Sequence, residues 1–129
     1  MLKNPVKVLV AEDSSEVALR VRELLSELDF VTSIGYAKNG HETIALAEFM
    51  NPHFILLDIK MPGMNGLEVL EKLRLQKSDV KIILLTNHPD EYMRQTCLDL
   101  GADYYLDKTL EFDQISDILR YQLRQSAAS

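Results

Sequence analysis

Three apolar runs, Val6 to Ala11, Phe54 to Leu57 and Ile82 to Leu85, lack the regular polar alternation of a strand with one wet face. They predict strands buried on both faces, which is the setting of central strands in a parallel sheet. The segment Val31-Thr-Ser-Ile-Gly-Tyr-Ala37 alternates more and suits a place nearer an edge, and Tyr104-Tyr-Leu106 supplies a short fifth strand. Between the runs the period changes to that of a helix. Val17, Val21, Leu24, Leu25 and Leu28 recur at helical spacing, with Glu16, Arg20, Arg22 and Glu27 left for solvent. Asn39 followed by Glu42 reads as a capping pair that opens a second helix, which runs to about Met50 before Pro52 stops it. Gly66 to Lys77, Asp90 to Leu100 and Asp113 to Arg124 complete the set, with Gly101 as a helix terminator. The order is βα repeated five times. Right-handed crossovers then place helices on both faces of a doubly wound α/β sandwich.

The chain has 129 residues, 47% of them hydrophobic, enough for one sizeable core and one domain over residues 1–129. The core is expected over about 5–124, with 125–129 as a frayed tail or the start of a linker. The lone Cys97 excludes a disulfide within the chain, and no apolar run reaches membrane-spanning length. A reducing cytoplasm is the expected setting, without membrane attachment. A net charge of −6 offers no basic stripe for a phosphate backbone, so proteins rather than nucleic acids are the expected partners.

Ligands of open parallel sheets sit at the carboxyl ends of the strands, and here those ends are polar. The first strand ends in Glu12-Asp13, the third in Asp58, the fourth in Thr86, and Lys108 follows the fifth. Three carboxylates on one rim repel one another. The repulsion is relieved by protonating one of them or by recruiting a hard divalent cation such as Mg²⁺. With the charge so neutralised, a carboxylate can act as nucleophile toward a phosphoryl group whose oxygens Lys108 and the Thr86 hydroxyl receive. The product is an aspartyl phosphate.

Taken singly, most of these residues have plainer explanations. Asp13-Ser-Ser-Glu16 also reads as a helix N-cap with its reciprocal acid. Thr86 alone is a strand-end threonine, Lys108 a solvated loop lysine, and Tyr105 an edge residue that packs while its hydroxyl meets water. Asp58 differs, because an acid that ends an otherwise continuous apolar strand is poorly explained by packing.

From about Lys7 to about Leu123 the chain resembles the receiver domain of bacterial two-component response regulators. The matching pieces are Val8-Leu-Val-Ala-Glu-Asp13, Asn39-Gly40, Leu56-Leu-Asp-Ile-Lys-Met-Pro-Gly-Met-Asn-Gly66, Leu84-Leu-Thr86 and Gly101-Ala-Asp-Tyr-Tyr-Leu-Asp-Lys108, in that order. The resemblance implies a flavodoxin-like parallel sheet of strand order 2-1-3-4-5. It implies Asp58 as phosphoacceptor, Asp13 and Asp58 as direct Mg²⁺ ligands with the backbone carbonyl of Lys60, and Glu12 acting through metal-bound water. Lys108 matches the phosphate-binding lysine, Thr86 the switch hydroxyl, and Tyr105 the aromatic that turns inward behind it. A sensor histidine kinase or histidine phosphotransfer protein is the implied donor. The surface from Asp90 to Arg124 is implied to meet a downstream protein or an output domain, as a monomer or a phosphorylation-dependent dimer.

Two departures stand out. The family lysine is usually followed by a proline in a cis bond, and here Thr109 follows Lys108. Asn87 replaces a smaller residue after the switch threonine, and with Lys60 and His88 it flanks the expected path of a hydrolytic water. A rival enzyme, a Mg²⁺-dependent aspartyl-phosphate hydrolase, needs a second acid two residues beyond its nucleophile, where Lys60 stands, so steady turnover on outside substrates is not expected. The remaining rival is a degenerate receiver that binds partners without phosphorylation, and the full set of Glu12, Asp13, Asp58, Thr86 and Lys108 argues against it.

Overall fold

The computed structural model describes residues 5–76 and 79–128. Five parallel strands, β1 (Val6–Ala11), β2 (Val31–Ala37), β3 (Phe54–Asp58), β4 (Lys81–Thr86) and β5 (Tyr104–Asp107), lie in the order β2-β1-β3-β4-β5. The helices between and after them are α1 (Ser15–Ser26), α2 (Gly40–Met50), α3 (Gly66–Gln76), α4 (Glu91–Asp99) and α5 (Gln114–Ala128). This is the expected architecture. The expected last residue of the third helix, Lys77, lies outside the described residues.

Side chains of a strand alternate between its two faces, so each apolar run feeds two cores. Val8, Val10, Leu56, Ile83 and Leu85 pack against Val21 and Leu25 of α1 and Ile115 and Leu119 of α5. Leu9, Ile55, Leu57, Ile82 and Leu84 pack on the other side against Ala47 of α2, Leu70 and Leu73 of α3 and Cys97 of α4. Every residue of β3 is buried, whereas β2, paired only with β1, exposes Thr32, Ser33 and Tyr36. The continuous and the alternating patterns thus separate a central strand from an edge. Cys97 belongs to the core, and burial pushes its thiol up to about 11.

The expected tail is corrected: α5 continues through Ala128 instead of ending at Arg124. Gln125-Ser-Ala-Ala contains neither proline nor glycine, and alanine is the best helix former, so nothing there stops the helix. Ser129 lies outside the described residues. At α4 the expected terminator holds. Gly101, at φ 112°, follows the C-cap Leu100, while its N–H donates to Leu98 O (3.1 Å) and Ala102 N–H to Cys97 O (3.0 Å).

At the amino ends of β4 and β5 one arginine ties three segments together. Arg74 of α3 donates from Nε (3.0 Å) and Nη2 (2.6 Å) to Gly101 O and from Nη1 to Val80 O (2.8 Å). Its Nη2 also meets Asp103 Oδ2 at 3.1 Å, and that oxygen accepts the Ile82 N–H at 2.8 Å. No helix of the described residues is long and apolar enough to cross a membrane.

Candidate functional site

The carboxyl ends of β1, β3, β4 and β5 bring the expected residues to one rim, and most of them are removed from solvent. Glu12, Asp58, Thr86 and Lys108 are buried, while Asp13 is exposed at the lip. Lys108 Nζ lies 2.9 Å from Glu12 Oε1 and 3.0 Å from Asp58 Oδ2. The second oxygen of each acid accepts a backbone donor: Glu12 Oε2 from Ser14 N–H (3.1 Å) and Asp58 Oδ1 from Lys60 N–H (3.1 Å). One ammonium therefore bridges two carboxylates whose outer oxygens are held by their own loops.

Asp13 completes a trio of acids. Glu12, Asp13 and Asp58 each offer an oxygen, and these lie within 4.8 Å of one another. One lysine does not neutralise three carboxylates. Glu12 Oε1 is buried and, although close to Lys108 Nζ, lacks the angular geometry of a hydrogen bond. An all-oxygen donor set with excess negative charge suits a hard divalent cation. The space beside it is lined by Asp13, Ile59, Lys60, Met61, Pro62 and Asn65.

The alternative reading of Asp13 as a helix cap fails here, because Ser14 takes that role and its Oγ accepts the Val17 N–H at 3.3 Å. Asp13 is left free for the acid group. Asn39 caps α2 as expected, its Oδ1 accepting the Glu42 N–H at 2.9 Å.

Burial is the main reason the Glu12 carboxyl sits above its ordinary value of 4.5; the Asp58 charge adds to the rise, while Lys108 and the Ser14 N–H oppose it. For Lys108 burial alone would lower the ammonium, but contacts with Glu12 and Asp58 outweigh it and the net shift is upward. A carboxyl raised in the fold favours folding below its unfolded value, and that contribution fades as pH rises through the folded one. Urea unfolding in chelator is expected to show Glu12→Gln gaining on the wild type as pH rises from about 4.5 to 7. A difference between the two that is flat with pH would show that the raised carboxyl has no such role.

Thr86 Oγ1 accepts the His88 N–H at 3.1 Å. Tyr105 lies inside the fold at 9% exposure, and its hydroxyl is buried, with no hydrogen bond of good geometry among the described residues. Burial chiefly pushes that hydroxyl up, with the nearby Asp90 backbone and Thr86 hydroxyl acting the other way. Lys60, Asn87 and His88 are exposed around the rim. No peptide bond among the described residues is cis, so Lys108–Thr109 is trans.

Two features of the site escaped the sequence reading. Gly66 donates to Ile59 O (2.8 Å) so closely that a Cβ there would sit 2.6 Å from Ile59 Cα and 2.9 Å from Asp58 O. Asp107, the last residue of β5, is buried beside Lys108. The glycine could have been found from its place at the end of the longest matching piece; the aspartate had no comparable signal.

Comparison with known proteins agrees with this geometry. Residues 8–120 match the family described as the response regulator receiver domain. The nitrate/nitrite response regulator protein NarL of Escherichia coli (strain K12) is 39% identical over 128 residues, which is 98% of this chain and 56% of that protein. Response regulator GacA of Pseudomonas protegens is 30% identical over 115 residues, 89% of this chain and 54% of its own length. The chain thus spans about half the length of these curated relatives. Among solved structures, the signal receiver domain of the putative response regulator NarL from Mycobacterium tuberculosis superposes with a TM-score of 0.82 at 26% identity, covering 91% of this chain and 95% of that one. The RcsB response regulator of Salmonella typhimurium shares the fold, with a TM-score of 0.87 at 20% identity over 95% of this chain and 61% of its own. With the buried acids and bridging lysine at the strand ends, these matches place the chain in the receiver domain family of two-component response regulators.

Proposed function

We propose that this chain is a single receiver domain that accepts a phosphoryl group on Asp58 from a histidine kinase or histidine phosphotransfer protein. The observation that carries the reading is the Lys108 ammonium held between Glu12 and Asp58, with Asp13 close enough to make a three-acid group. Asp13, Asp58 and the Lys60 backbone carbonyl would hold Mg²⁺, and Glu12 would act through its water. When bound, the ion supplies positive charge that offsets the acids and the incoming phosphoryl oxygens. The Lys60 N–H keeps the Asp58 carboxylate oriented as one of its oxygens attacks phosphorus and the donor's bond to phosphorus breaks. Lys108 then follows the transferred oxygens, and the Thr86 hydroxyl turns toward them.

Thr86 and the inward Tyr105 couple the rim to the face formed by α4, β5 and α5, which carries the exposed Tyr92 and Tyr121. Phosphorylation biases that face between two arrangements, and a protein partner or output domain reads the difference, in a monomer or a phosphorylation-dependent dimer. The chain consumes a phosphoryl group and releases it, without turnover on outside substrates. Lys60, Asn87 and His88 at the rim set how long the group survives, as the decay of the adduct in variants at these positions will report. The cytoplasm is the compartment this chemistry suits.

Intact-mass spectrometry after incubation with Mg²⁺ and a small acyl phosphate is expected to show one phosphoryl adduct, absent in chelator and absent in Asp58→Asn. An adduct that persists in Asp58→Asn would move the acceptor elsewhere. No adduct in the wild type, even after cold quenching, would favour a domain that binds partners without phosphorylation.

A further inference from the structure

We propose that Asp107 is a positioning residue for Lys108, holding the lysine on line through a closed turn that stands where the family has its proline. The inference rests on the reading of Asp58 as phosphoacceptor. Asp107 is buried at 9% exposure and, among the described residues, forms no ion pair. A buried carboxylate without a cation costs fold stability unless donors satisfy it. Its donors are backbone amides on the far side of the lysine: Oδ1 accepts from Thr109 N–H at 2.7 Å and from Leu110 N–H at 3.0 Å.

The turn closes on itself. Asp107 N–H donates to Glu111 Oε1 at 2.9 Å, and Glu111 N–H donates back to Asp107 O at 3.0 Å. Lys108 is the second residue of this loop, and its own N–H is fixed to Thr86 O at 2.8 Å. The peptide before Lys108 is therefore held by β4, and the peptide after it by the Asp107 carboxylate. Between these anchors the side chain runs to Glu12 and Asp58. A proline at position 109 would restrict the backbone covalently and present no N–H; Thr109 presents one, and Asp107 takes it. Release of the Thr109 amide lets the backbone at Lys108 rotate, and a long side chain magnifies the rotation at Nζ. A displacement of about 1 Å at a positioned group costs on the order of 100-fold in rate.

The test is the rate of phosphoryl uptake from a small acyl phosphate at saturating Mg²⁺, measured on the full chain. Asp107→Ala is expected to slow uptake by at least about tenfold. Asp107→Asn keeps an oxygen acceptor for both amides and should restore the rate to within about threefold of the wild type. In a Lys108→Ala background the aim of the lysine no longer matters, and Asp107→Ala should then change the rate by less than about twofold. A slowing as large in that background as in the wild type would reduce Asp107 to a structural role and overturn the proposal; so would an unchanged Asp107→Ala. Should Asp107→Ala not fold, Asp107→Leu, of similar shape and without an acceptor, takes its place in the same cycle with the same criteria. A wild type that takes up no phosphoryl group defeats the reading of Asp58 as phosphoacceptor, whereas uptake that ignores position 107 defeats only this inference.

Discussion

Replacing Lys108 by alanine is expected to slow phosphoryl uptake by about 10²–10³-fold, the range seen when a preorganised group facing developing charge is removed. The same change should weaken the metal-free fold by roughly 3 kcal/mol, because breaking a buried ion pair leaves its partner charges uncompensated. Lys108 is the cation within reach of both Glu12 and Asp58, and all three side chains are buried. Without it the Glu12 carboxyl, already raised by burial, loses a contact that holds it down and rises further. Added Mg²⁺ should recover more stability in the variant than in the wild type, since the ion then supplies charge that the lysine no longer provides. Urea unfolding with and without Mg²⁺, beside adduct kinetics, measures both effects. Unchanged stability in chelator would show that the ion pair contributes nothing to the fold.

A second large effect is expected from the smallest substitution. Gly66→Ala places a Cβ 2.6 Å from Ile59 Cα, 2.8 Å from Ile59 O and 2.9 Å from Asp58 O. These are backbone atoms and cannot swing aside. Alanine at a helical position is worth up to about 1 kcal/mol over glycine. Overpacking of this kind costs about 1–3 kcal/mol, so the net is a loss. The backbone that must retreat runs from Asp58 to Ile59, one residue from the amide that orients Asp58, so phosphoryl uptake should fall about tenfold or more along with stability. The urea midpoint and the adduct rate are read on the same sample. A variant as stable and as fast as the wild type would mean that the loop yields without disturbing the site.

The sheet was legible because β1, β3 and β4 are buried on both faces, which leaves an uninterrupted apolar record in the sequence. Asp58 was legible because an acid that ends an apolar strand has no packing explanation; Glu12, Asp13 and Lys108 gained meaning only through their shared place at the strand ends. Elsewhere the determinants leave weaker marks. Asp13 and Ser14 are both good helix caps by residue type, and only the direction of the chain leaving β1 gives the cap to Ser14. The end of α5 was placed four residues early because small polar residues suit a tail and a last helical turn equally well. Arg74 had no readable partner in advance, since it grips the carbonyls of Gly101 and Val80, and every residue possesses a carbonyl. Asp107 was hidden for the same reason: its partners are amides.

The Arg74 tie constrains how the domain can move. It grips Gly101 and Val80 just ahead of β5 and β4, at the end of the sheet away from the acids. β4 spans six residues, so at about 3.3 Å per residue its anchored end and Thr86 stand roughly 17 Å apart. Neither strand can slide lengthwise without breaking those bonds. Gly101 also closes the carboxyl end of α4, so that end of the helix is held to α3 through Arg74, while the bonds described for Asp90 at its first turn run to Tyr92 and Arg94 of α4 itself. A displacement at Thr86 would thereby become a swing of α4 rather than a translation, small beside Gly101 and largest at the exposed Tyr92.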